Sequence, residues 1–205
     1  MEMTNINAFD QNKYVAVTGL IPVDLCRIVT KYALLKEATE FNPEGPGTQV
    51  ENAHSVYGDT LMETLMFFLH PHMEQKTGKK LCPTYTYYRV YRPGDKLDVH
   101  RDRESCEIST TVCFGFHYTL KEDNYRWGMY VEPGNLITQN PGDAIIYKGC
   151  ELDHWREPFD AGPDSYQVQA FFHYIDVDGP NYPEYAYDKR GGLGIRNDAT
   201  KRINN

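Results

Sequence analysis

From Tyr85 onward the side chains alternate with a period of two, and this alternation limits the fold more than any other feature of the chain. Tyr85, Tyr87, Arg89 and Tyr91 would share one face of an extended segment, and Thr86, Tyr88, Val90 and Arg92 the other, because successive strand side chains point to opposite sides. Strand-like runs return at 97–102, 108–118, 128–132, 135–138, 143–148 and 168–175, separated by turns such as Pro93-Gly94-Asp95 and Pro141-Gly142-Asp143. About eight short strands, with no helical period after residue 80, predict a mainly β jelly roll (double-stranded β-helix) rather than a wound parallel sheet.

Two helices precede this region. One runs from Pro22 and Asp24 to about Ala38, with Leu25, Ile28, Val29, Tyr32 and Leu35 as its apolar face. The other runs from Asp59 to Lys76 on Leu61, Leu65, Phe68 and Leu69, with Pro71 expected to kink or end it. Residues 13–20 read as a short strand and 41–53 as a loop. The expected organisation is one α+β domain over 1–205. Helical support covers about 13–80, a jelly-roll catalytic core about 81–176, and a surface-wrapping or mobile tail 177–205.

Composition narrows the function classes. A net charge of −8 argues against non-specific binding to nucleic acid or to anionic membranes. Five cysteines, an odd number without a Cys-x-x-Cys pair, suit a reducing, cytoplasmic setting. No signal-peptide pattern opens the chain and no apolar run approaches a membrane span, so a soluble intracellular protein is expected. No Ser-His-Asp set, phosphate loop or dinucleotide fingerprint is found.

The chemistry-bearing pattern is His100-x-Asp102, with His154 far downstream after the Pro141-Gly142-Asp143 turn. Two residues apart on a strand, His100 and Asp102 project to one side. Two imidazoles and a carboxylate brought together can occupy one face of an octahedral Fe(II), leaving the other open. Taken alone, a His-x-Asp pair is better explained as a satisfied polar pair on a strand surface.

With its surroundings the pattern resembles the 2-oxoglutarate/Fe(II)-dependent oxygenases, the prolyl 4-hydroxylase-like branch above all. Three stretches carry the resemblance. They are Tyr88-Arg-Val-Tyr-Arg-Pro-Gly followed by His100-Arg-Asp102-Arg103, then Asn140-Pro-Gly-Asp-Ala-Ile-Ile-Tyr, and His154-Trp-Arg-Glu-Pro-Phe159. It spans roughly residues 80–176. It implies Fe(II) held by His100, Asp102 and His154, with 2-oxoglutarate and O2 as co-substrates and ascorbate as an accessory. The implied reaction hydroxylates a C–H bond, in a prolyl or other peptidyl substrate or in a small molecule, and yields succinate and CO2.

One family element is displaced. The resemblance places a basic anchor for the distal carboxylate of 2-oxoglutarate at the start of the last barrel strand, but Pro163-Asp-Ser-Tyr-Gln-Val-Gln has no basic residue. Arg156, two residues beyond His154, is the first replacement; a surface pair with Glu157 or Asp153 is its plain alternative. Lys148 and Arg89 are weaker candidates. Tyr91 is a candidate hydrogen-bond partner of the co-substrate or a core tyrosine. Tyr85 and Tyr87 are expected in the core or pocket wall, Trp155 in packing, and Arg103 beside Glu104 or Glu107. His54, His117 and His173 are expected to be structural, and His70 and His72 exposed or at a helix end. Competing readings are a non-catalytic jelly-roll metal-binding module and a cupin-like metalloenzyme that does not use 2-oxoglutarate. Oligomeric state is left open.

Overall fold

The computed structural model describes residues 6–40, 49–50 and 53–195. Ten strands form two antiparallel sheets. The strands are β1 (Tyr14–Val17), β2 (His54–Tyr57), β3 (Leu81–Tyr91), β4 (Leu97–His100), β5 (Ile108–His117), β6 (Met129–Val131), β7 (Asn135–Ile137), β8 (Ala144–Tyr147), β9 (His154–Arg156) and β10 (Tyr166–Asp176). The larger sheet has the order β1-β8-β5-β10-β3-β2 and the smaller β4-β9-β6-β7. This is the expected jelly roll. Helices α1 (Ile6–Asn12), α2 (Val23–Thr39) and α3 (Thr60–Thr77) accompany the larger sheet.

Strand alternation sorts the side chains into two layers. Ile108, Val112 and Phe114 of β5, Tyr88 and Val90 of β3, and Val168, Ala170, Phe172 and Tyr174 of β10 join the core beneath the helices. The intervening residues face between the sheets, where Tyr91, Leu97, Trp127, Phe159 and Phe171 form a second cluster. Arg89, Ser109, Thr111, Gln167, Gln169 and His173 lie in this inner register and are buried. So much polar side chain inside a barrel needs internal partners. A chain of them is present: Gln169 Nε2 donates to Thr111 Oγ1 and to Gln139 Oε1 at 2.8 Å.

Several local expectations are corrected. Helix α2 buries Cys26, Val29, Thr30 and Ala33, while Ile28 and Leu35 are more than 60% exposed. A narrow strip of small residues lets the helix approach the sheet: a Cβ on Gly115 of β5 would sit 2.5 Å from Thr30 Oγ1. Helix α3 runs through Pro71 without ending there, and buries Met62, Leu65, Met66, Leu69 and Met73. Burial of that long face offsets one missing backbone donor. Phe68, expected inside, is half exposed. Asp59 caps α3 by accepting from Leu61 N and Met62 N, and Gly78 ends it at a φ of 72°, a left-handed conformation that favours glycine. Strand β3 starts at Leu81, earlier than the alternation indicates, and β2 and α1 were not anticipated.

The segment after β10 is not loose as far as residue 195. Arg190 Nη2 lies 2.7 Å from Glu63 Oε1, with both side chains almost wholly buried. The same guanidinium donates to the carbonyls of Tyr187 and Thr84 at 3.0 Å. The expected tail continues over 196–205, which lie outside the described residues. Glu63→Gln leaves Arg190 as an uncompensated buried charge and should cost about 3–5 kcal/mol in a urea denaturation series.

Candidate metal centre and its cavity

The edge pairing of β4 with β9 brings together residues 54 positions apart: His100 lies directly across from His154. Their Nε2 atoms approach the same oxygen, Asp102 Oδ1, at 3.5 and 3.6 Å. Asp102 itself lies just beyond the end of β4, not within the strand as expected. Its N–H donates to the Gly149 carbonyl at 2.9 Å instead. Turning out of the strand lets the short carboxylate reach between the two longer imidazoles.

The imidazoles are held in a defined orientation. His100 Nδ1 bonds the Asp98 carbonyl and His154 Nδ1 the Leu152 carbonyl, each at 2.9 Å. A carbonyl only accepts, so both Nδ1 atoms carry hydrogen, and Nε2 is the atom each ring turns toward Asp102. Burial by itself would raise the Asp102 pKa, but hydrogen bonds from His100 and His154 hold it well below the usual carboxylate range. The result is an ionised carboxylate and two imidazole nitrogens around one point, their ligand atoms all within 4.8 Å of one another. This donor set fits Fe(II), Mn(II) or a similar divalent ion.

Gly149 makes the close approach possible. A Cβ there would meet Asp102 Oδ2 at 2.6 Å and the Cys106 carbonyl at 2.3 Å. Gly149→Ala should therefore lower stability by about 1–3 kcal/mol and weaken Mn(II) binding. Paired denaturation and Mn(II) titration of the variant check both.

The three donors border a cavity of about 540 Å³. Tyr57, Tyr85, Tyr87, Arg89 and Phe171 form much of its remaining wall. Tyr85 and Tyr87 thus lie in the wall, as expected. Arg103 pairs with Asp188 at 2.6 Å, not with Glu104 or Glu107. Arg101 reaches Asp153 at the same distance. Trp155 stacks on Tyr130, away from the donors.

The four expected co-substrate residues fare differently. Arg156 is wholly buried, and its Nη1 donates to the Trp127 carbonyl at 3.2 Å. Its Nε and Nη2 have no hydrogen-bond partner. Neither Glu157 nor Asp153 pairs with it: the first accepts from Trp155 and the second from Arg101. Gln167 Nε2 reaches the same Trp127 carbonyl at 3.3 Å. The Arg156 guanidinium therefore occupies the space beside the start of β10, although it arrives from β9. Arg89 lines the cavity and donates to Ser55 Oγ at 3.0 Å and Tyr91 Oη at 3.2 Å. Tyr91 is fully buried, with two guanidiniums near its ring, Arg89 at 5.4 Å and Arg156 at 5.7 Å from the ring centre. Of the four, Arg89 alone lines the cavity: Arg156 and Tyr91 are buried behind its wall, and Lys148 is not brought to it. It pairs outward with Asp10 at 3.0 Å and with Glu151, because β8 ends at Tyr147 and the chain turns away.

His173 is the residue that spacing missed. It was grouped with the isolated structural histidines, yet it lines the cavity beside Asp102. Its Nδ1 is 2.8 Å from Ser109 Oγ, which also lies 3.3 Å from Asp102 Oδ2. Burial pushes its pKa down to about 4, so the ring is neutral at physiological pH. The inner-register alternation of β10 was the available signal, since His173 shares its face with Phe171. His54 sits 3.4 Å from Tyr88 Oη and His70 2.8 Å from the Leu81 carbonyl, both structural contacts. His72 packs edge-on to Phe68. Among the described residues, no helix is long and apolar enough to cross a membrane.

No family model and no curated relative matches the chain. Solved structures do. A prolyl-4-hydroxylase from Pseudomonas putida superposes with a TM-score of 0.58 at 15% identity, over 82% of this chain and 96% of that one. EctD from S. alaskensis gives 0.66 at 14% identity, over 96% and 87%. A prolyl hydroxylase from Trichoplax adhaerens, solved with a hypoxia inducible factor peptide fragment, gives 0.60 at 12%, over 85% and 88%. At these identities the likeness speaks for architecture: the chain has the jelly-roll fold of the 2-oxoglutarate/Fe(II) oxygenases, the prolyl 4-hydroxylases among them.

Proposed function

We propose that this chain is a non-haem Fe(II)- and 2-oxoglutarate-dependent dioxygenase that hydroxylates a C–H bond and releases succinate and CO2. The observation that carries the reading is the convergence of His100 Nε2 and His154 Nε2 on one Asp102 oxygen at the wall of an open cavity. A three-donor face of this kind leaves coordination positions for other ligands. Bound iron would supply the oxidising chemistry when O2 and 2-oxoglutarate are present.

The chain's own contribution is to hold, orient and exclude water. Asp98 and Leu152 orient the imidazoles through their carbonyls. Arg156 is our choice for the distal carboxylate of 2-oxoglutarate, because two of its guanidinium nitrogens are buried without a partner. A bidentate carboxylate would satisfy them. Arg89, on the cavity wall, supports the same anion, and the Tyr91 ring lies against both cations. EctD was solved with 2-oxoglutarate, and so was a viral collagen prolyl hydroxylase. The hypoxia-factor peptide in the Trichoplax enzyme favours a peptidyl substrate, prolyl or otherwise, in this cavity.

A second reading has one observation of its own. Gln167 and Gln169 stand at the start of β10 where the resemblance puts a basic anchor, which would suit a metal-binding module without a co-substrate. Titrating 2-oxoglutarate into Mn(II)-loaded protein separates the two. Saturable binding, with succinate formed when Fe(II) replaces Mn(II), is expected. Metal-replete protein with no 2-oxoglutarate binding would leave the module as the better description.

A further inference from the structure

Asp102 belongs to two donor sets. The first is completed by His100 and His154. The second is completed by Cys106 and His173, whose ligand atoms also lie within 4.8 Å of one another and of the carboxylate. Both residues of this second pair are at most 5% exposed, yet both line the cavity.

The two oxygens of the carboxylate have different neighbours. Oδ1 faces His100 and His154, whereas Oδ2 is turned toward Ser109. Ser109 bonds His173 Nδ1, which leaves the other ring nitrogen, Nε2, as the metal-binding atom. Cys106 is placed by the 3₁₀ turn Glu104–Cys106 immediately before β5. Its Sγ lies 3.1 Å from the Tyr85 hydroxyl, and the Tyr85 ring covers His173 at 4.5 Å. The donors are therefore a thiol, an imidazole and a carboxylate, with a phenol close by.

We propose that Cys106, His173 and Asp102 form a second metal site, adjoining the first, that takes a soft divalent cation of the Zn(II) type. A nitrogen–sulfur–oxygen set prefers such an ion, at four-coordinate geometry, over the harder ions suited to oxygen ligands. Tyr85 or a water completes the coordination. On binding, the Cys106 thiol releases its proton to solvent and the thiolate ligates the ion. With Oδ1 turned to His100 and His154, Oδ2 is the oxygen left for the second ion, so the carboxylate can bridge both. The inference does not depend on the oxygenase reading, since neither 2-oxoglutarate nor turnover enters it.

Co(II) is the probe, used anaerobically on the full chain, because a cobalt–thiolate bond gives a charge-transfer absorption that imidazole and carboxylate ligation does not. The wild-type protein should bind two equivalents of Co(II) and show that band, and one equivalent of Zn(II) should remove it. Cys106→Ser and, separately, His173→Gln should lose the band and one equivalent, while Cys150→Ser, which alters a neighbouring thiol, should keep it. Zn(II) affinity at this site should fall at least about tenfold in His173→Gln. Circular dichroism confirms that each variant is folded, and His173→Gln, close in size to the parent, serves if Cys106→Ser is not. Absence of a thiolate band in folded wild-type protein, or its persistence in Cys106→Ser, overturns the proposal. Succinate formation plays no part in this readout, so the two readings fail separately.

Discussion

Asp102→Ala is expected to bind Mn(II) at least about 100-fold more weakly than the parent chain, and to form no succinate with Fe(II) and 2-oxoglutarate. Partners that merely orient a ligand are worth about 10–100-fold in metal affinity, and Asp102 does more than orient. It supplies the anionic donor of the set, and it is the point on which both imidazoles converge. The backbone bond from its N–H to the Gly149 carbonyl does not need the side chain, so the variant keeps the local turn. Isothermal titration with Mn(II), beside a thermal melt of the metal-free protein, reads the effect. An unchanged Mn(II) affinity in a folded variant would remove the metal centre, and the proposed enzyme with it.

Arg156→Met has two expected effects of opposite sign. In the metal-free, ligand-free protein it should raise stability by about 1–4 kcal/mol, the range seen when buried ionic groups give way to apolar ones of similar volume. The reason is local. The guanidinium is wholly buried among Tyr91, Trp127 and Cys113, and Nε and Nη2 are unpartnered. Burial shifts its pKa downward, the sign of a cation kept at a cost. In Mn(II)-loaded protein the same variant should bind 2-oxoglutarate more weakly by about 2–5 kcal/mol, at least roughly 30-fold in Kd. Arg89→Met should weaken it less, because Arg89 already spends two donors on Ser55 and Tyr91. A melt and a 2-oxoglutarate titration check the pair. Stabilisation without loss of affinity would make Arg156 a packing residue, and would move the anchor to Arg89.

Much of the architecture was legible in the residues because strand alternation is a local property. The inner and outer registers of β3, β5 and β10 follow from side-chain type alone, and so does the jelly roll. The two helices were placed within a few residues of their observed ends, and of the expected face of α2, Val29 is buried and Leu25 and Tyr32 pack against the core, but Ile28 and Leu35 are exposed. Leu and Ile promised a broader apolar contact than the sheet provides, and close approach over Gly115 brought in Cys26, Thr30 and Ala33 beside Val29. Strand β2 was missed because His54-Ser-Val-Tyr is short and follows a loop rich in Pro and Gly.

The chain's order of residues determined that a His-x-Asp pair would stand near the end of one inner strand and a second histidine on another, with Arg156 on the same side as His154. Residue type and a period of two suffice for that. Only the folded molecule decided what meets at the centre. The β4–β9 edge set His100 across from His154, and Asp102 left the strand to reach both. Arg156 came to rest beside Gln167 at the start of β10, and His173 came within reach of the same carboxylate. Those contacts join segments distant along the chain, and long-range pairing is set by how two sheets close on each other, which no local periodicity encodes.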